Sequence, residues 1–202
     1  MMNLDEAIDK LDAMSVIAER ANTFNGLRAA PIAITGVIGL ATALVQPLFV
    51  SAEEASAHRF VLLWALAAFG CLSVVLIDLR LRYLRESTRR KQRLTLQVLG
   101  KLAPSIVTGA AIAFIVLQHS PELAWTLPSW WAILLGMGIC SCSSLLPHRL
   151  LAVGAYYIGT GLLALLIAKG DWSLHPLAMA IPFVGGQFLT AWLIGRDDQL
   201  AA

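Results

Sequence analysis

Charge is scarce in this sequence and missing altogether from long stretches of it. Asp, Glu, Lys and Arg make up 14% of its 202 residues, apolar types make up 58%, and the mean hydropathy is +0.72. A soluble domain of this length carries more charge than that. Apart from Asp78, the charges fall in the first 28 residues, between Arg80 and Lys101, or in short connectors and the tail. An uncharged apolar run of about 18 residues or more can cross a hydrocarbon core roughly 30 Å thick. Lipid cannot satisfy backbone N–H and C=O groups, so runs of this kind must be helices.

Other absences narrow the reading further. The three cysteines, Cys71, Cys140 and Cys142, all sit inside apolar runs and make no extracytoplasmic disulfide framework. The net charge of +2 is too small to argue for nucleic acid. Met1 to Arg28 has no basic start followed directly by an apolar core, so insertion is expected to use the first span itself. No motif of catalysis, and none that would hold a cofactor, stands out, and the chain is expected not to be an enzyme.

Six spans are predicted: Pro31 to Val50, Phe60 to Leu79, Leu102 to Leu117, Trp130 to Leu146, Leu150 to Ala168 and Leu177 to Gly195. The fold class is therefore all-α and polytopic. Residues 1–28 form a separate amphipathic element, residues 29–202 a six-helix bundle, and about 80–101 a basic helical linker within it. With the amino terminus inside, thirteen Lys and Arg residues collect on the cytoplasmic side, against Arg59 and Lys169 outside. That bias predicts both termini in the cytoplasm.

The first 22 residues carry Leu4, Ile8, Leu11, Met14 and Ala18 at three- and four-residue steps, with Asn3 as a candidate N-cap and Asp5 and Glu6 in the first turn. From Met1 to Gly26 five acids face two bases, the wrong sign for adhesion to anionic lipid. A protein surface is the better partner for Leu4, Ile8 and Leu11. Arg89, Arg90, Lys91 and Arg93 form the opposite pole, which can anchor on anionic headgroups, receive the acidic helix, or dock an acidic cytosolic protein.

Two short stretches resemble one another. Ala30-Pro31 with Thr35-Gly36 opens span one, and Ala103-Pro104 with Thr108-Gly109 opens span three at the same spacing. Duplication of a two-helix hairpin and shared capping physics both account for this. Small residues at four-residue steps (Thr35, Gly39, Ala43; Ser105, Gly109, Ala113; Ala155, Gly159) predict close helix contacts, with a surplus that could serve a homo-oligomer.

Cys140 and Cys142 are two apart on a helix of about 3.6 residues per turn, so they point about 200° away from each other and favour packing over redox or metal chemistry. His58, His119 and His175 fall on the outer face near Glu53, Glu54, Glu122 and Asp171, which makes them weak candidates for a metal or haem site; no cofactor is predicted. Trp125, Trp130, Trp131 and Trp172 read as the outer aromatic belt. The spans hold only hydroxyls and amides, such as Thr160, Gln187 and Thr190, and an interior without charge disfavours ion-coupled transport. Pro182, Gly185, Gly186 and Gln187 could break span six and line a cavity, or leave a kink that a neighbouring helix repairs.

The segment Glu19-Arg20-Ala21-Asn22-Thr23-Phe24-Asn25-Gly26-Leu27, leading straight into span one, resembles the opening of a group of uncharacterised bacterial six-span membrane proteins. The plan of two spans, a basic linker and four more spans is similar, while Ala29-Ala30-Pro31 departs from the Ser/Gly-rich lead-in of that group. The resemblance implies a bacterial cytoplasmic membrane and no activity. Three functions are therefore open: a non-enzymatic partner-binding or assembly protein, a passive transporter, channel or lipid-binding bundle, and a periplasmic metal or haem site.

Overall fold

The computed structural model describes residues 28–50, 56–85, 89–167, 172 and 174–201. The amino-terminal element with Leu4, Ile8 and Leu11 lies outside the described residues, as do Glu53, Glu54, Lys169 and Asp171.

The described chain is helical, and its uncharged runs form the helices expected of them. These are α1 (Ala29–Phe49), α2 (Ser56–Arg85), α3 (Arg89–His119), α4 (Leu127–Ser141), α5 (Leu150–Ile167) and α6 (Pro176–Ala201), with a 3-10 turn at Pro121–Thr126 ahead of α4. All six segments, the 3-10 turn counted with α4, are long and apolar enough to cross a membrane. Pro31 sits in the first turn of α1, where its missing N–H leaves no bond unmade.

The described part of the basic linker is helical on both sides, with α2 continuing to Arg85 and α3 beginning at Arg89. One element departs from the sequence reading. Span four ends at Ser141 rather than Leu146. The next residues, Cys142 to Leu146, form turns that fold Cys142 and Leu146 back into the core. At about 1.5 Å per residue, the 15 residues of α4 fall short of a bilayer, and the 3-10 turn supplies the missing length.

The helices pack antiparallel to their neighbours in the order α2, α1, α6, α5, α4, α3, with α4 also touching α6. The α4–α5 and α1–α6 seams are the most extensive, and α2 and α3 meet only slightly. Glycine makes the α4–α5 seam possible: a Cβ on Gly136 would lie 2.7 Å from the carbonyl oxygen of Gly154. Because lipid offers no hydrophobic drive between helices, this backbone approach is what holds them together. The small-residue faces of α1 (Thr35, Gly39, Ala43) and α3 (Gly109, Ala113) are buried as expected, and Ser105, the third residue of the α3 stripe, is half-buried. On α5 the expectation fails. Ala155 and Gly159 are exposed, and the contacting face is one position round, at Gly154, Tyr157 and Gly161.

Alternating helices place Arg28, Arg80, Arg93, Lys101, Arg149 and Arg196 at one end of the bundle, here the cationic end. His58, Arg59, His119, Glu122, Trp172 and His175 lie at the other, the aromatic end.

Candidate functional site

Burying a polar side chain in an apolar bundle is costly unless another group satisfies it; among the described residues Ser129 Oγ is buried without a partner, whereas two groups of side chains satisfy one another. The first joins α1, α2, α5 and α6 halfway along. Thr35 Oγ1 lies 2.7 Å from the carbonyl of Ile32 and 2.9 Å from Gln187 Oε1, and its single proton serves one of them at a time. Gln187 also reaches the hydroxyl of the buried Tyr157, which points at the Phe183 carbonyl from 3.4 Å, and the Cys71 thiol faces the Thr35 carbonyl at 3.7 Å.

The second group lies toward the aromatic end. Gln46, only 1% exposed, accepts from Trp64 Nε1 at 2.9 Å and donates from Nε2 to the Leu174 carbonyl at 2.6 Å. Aromatic rings fill the space around it: Phe60 stacks on Trp131 at 6.3 Å, and Trp64 meets Phe183 edge-on at 6.2 Å.

Span six is not broken. It runs as one helix through Pro182, and beside the proline α5 donates the Tyr156 hydroxyl to the Ile181 carbonyl at 2.6 Å. Gly185 and Gly186 do not line a cavity. A Cβ on Gly185 would collide with the Tyr156 hydroxyl, and one on Gly186 with the Tyr157 ring. Thr160 and Thr190 bond back to carbonyls of their own helices, so of the three interior polar residues named from sequence only Gln187 crosses between helices.

Cys140 and Cys142 sit at the cationic end of α4. Cys142 faces the Val98 carbonyl of α3 at 3.8 Å, whereas Cys140 is the side chain a Cβ on Gly154 of α5 would strike, so the thiols serve different seams. Burial pushes the Cys142 thiol above its ordinary range, with the Lys101 ammonium opposing. His58 and His119 are exposed, and His175 accepts at Nδ1 from the Leu177 N–H at 3.2 Å beside Trp172. Among the described residues, no three His, Cys, Asp or Glu side chains form a group that could hold a metal ion. Trp131 leaves the proposed aromatic belt altogether, because it packs inward and donates to the Gly109 carbonyl at 3.1 Å.

At the cationic end, Arg93 is exposed, and Lys101 reaches across from α3 to Ser144 Oγ at 2.9 Å. Arg89, Arg90 and Lys91 begin α3, and their side chains lie outside the described set. Reasoning from sequence did not single out Gln46, Trp64, Phe60, Tyr156 or Tyr157. The available signal was Gln46-Pro47, an amide and a helix breaker together in an otherwise apolar run.

The six membrane-length helices and the hydrogen-bonded interior define a multi-pass α-helical membrane protein. Compared with models of known families, with curated proteins and with solved structures, the chain matches none.

Proposed function

We propose that this is a non-enzymatic protein of the bacterial cytoplasmic membrane, with both termini inside, that acts by binding a partner at its cationic end. One observation supports this above the rest: all six described Lys and Arg side chains at that end are exposed. Opposite charge steers and orients association, and the acidic residues 1–22 are the natural complement, in this chain or by recruiting another protein. The resemblance of Glu19 to Leu27 and of the two-plus-four layout to bacterial six-span proteins agrees with the membrane assigned.

Transport draws less support, since tyrosine rings occupy the positions that would open span six. The test is in-cell crosslinking of the full chain against a variant lacking residues 2–22, followed by mass spectrometry. The reading expects at least one crosslinked protein to be lost on deletion. An unchanged partner set overturns it.

A further inference from the structure

The α1–α6 seam carries a more local feature within the cationic end. Ala29 and Gly195 pack against each other, so that a Cβ on Gly195 would lie 3.7 Å from that of Ala29. Their neighbours Arg28 and Arg196 are thereby brought to one seam from opposite ends of the chain, and both are exposed. Among the described residues neither has a carboxylate partner. The Arg196 guanidinium stands 4.9 Å from the ring centre of Trp192, which is 55% exposed on the lipid-facing side of α6.

Each part suits one ligand. Tryptophan favours the headgroup level of a bilayer, an aromatic face orients a guanidinium lying on it, and arginine's planar fork matches the oxygens of a phosphate. Asp197 and Asp198 follow Arg196 in the chain, so net charge alone would not hold an anion there; the forked donors of two arginines at one seam would. We infer that the Arg28–Arg196–Trp192 seam binds the phosphate of an anionic phospholipid in the cytoplasmic leaflet. The site is separate from the basic ends of α2 and α3, and the inference does not depend on any protein partner.

Native mass spectrometry of the detergent-purified full chain, titrated with phosphatidylglycerol or phosphatidylcholine of identical acyl chains, tests it. The expected result is preferential binding of phosphatidylglycerol, weakened about tenfold in the Arg28→Gln/Arg196→Gln double variant, since each cation near a headgroup contributes substantially. Arg196→Lys keeps the charge without the fork and is expected to fall between the two. The Arg93→Gln/Lys101→Gln variant, at the other basic region, retains the preference.

Equal binding of the two lipids overturns the inference. So does a preference that survives loss of both arginines, or one that the Arg93/Lys101 variant loses equally. Inorganic phosphate binding without any lipid preference would mark a free-anion site and overturn it too. Helical content and melting by circular dichroism, matched across the variants, separate loss of binding from loss of fold.

Discussion

The Gln46 side-chain amide donates to the carbonyl of Leu174 at 2.6 Å and fastens the end of α1 to the turn ahead of α6, 128 residues later. Leu174 has φ 56°, the one positive φ at a non-glycine position among the described residues. Backbone in that region costs about 1–3 kcal/mol and persists only where its surroundings impose it. Gln46 is one group that holds the residue there, while its oxygen holds Trp64.

Gln46→Leu removes both bonds at nearly constant volume and leaves the indole N–H and the Leu174 carbonyl without partners. The expected loss is about 1–2 kcal/mol, modest because interhelical bonds in membranes are individually weak. Unfolding in mixed micelles measures it. In a double-mutant cycle with Trp64→Phe the two losses should fall short of additivity, and full additivity would refute the coupling.

Two glycines on neighbouring helices make a matched comparison. Gly186→Ala drives a methyl into the Tyr157 ring and should destabilise by about 1–3 kcal/mol, whereas Gly159→Ala points into open space and should stabilise α5 by up to about 1 kcal/mol. Melting temperatures that move in the same direction would show that the Tyr157 contact is not as described.

Cys142 is fully buried with a raised thiol pKa. A thiol that binds its proton more tightly in the folded state lends stability at neutral pH, and that share is lost as pH climbs above the ordinary thiol value of about 8.5. Wild type should therefore lose more stability between pH 8 and 10, set here as about the range spanning that value, than Cys142→Ala does. Maleimide should modify Cys142 far more slowly in the folded protein than in detergent-unfolded chain. Mild oxidation should give no Cys140–Cys142 disulfide.

Orientation is testable in a background lacking the three native cysteines. An impermeant maleimide added to intact cells should label Glu122→Cys and spare Ser144→Cys, which lie at opposite ends of the bundle. The reverse pattern would invert the topology that the cation bias predicts.

The number of the spans was legible because absence of charge over a span's length is a strong signal. Which face of a span turns inward was not, since these helices are apolar all round and hydrophobicity cannot mark a side. Small residues served as a substitute. They worked for Thr35, Gly39 and Ala43, which meet Phe183 and Gln187, and failed for Ala155 and Gly159, because α5 presents Gly154 and Gly161 instead. The end of span four was misread for a local reason: the apolar run continues to Leu146, but Pro147 and the serines at 143 and 144 favour turns over another helical turn. Of the candidate site, the exposed cations were visible in the sequence. The hydrogen-bonded interior needed the packing to be known.

The α1–α6 seam also bears on how the chain is made. Thr35 and Gln46 enter the membrane with the first span, and their partners Gln187 and Leu174 are synthesised 152 and 128 residues later. Until the last span approaches, the Thr35 hydroxyl has only the Ile32 carbonyl of its own helix and Gln46 only the Trp64 indole of the second span, so the Gln46 N–H group is left to temporary neighbours or the insertion machinery. Biogenesis therefore ends where it began: the final helix closes the bundle by capturing the first, and a nascent chain cut short before α6 should be the form that quality-control proteases recognise.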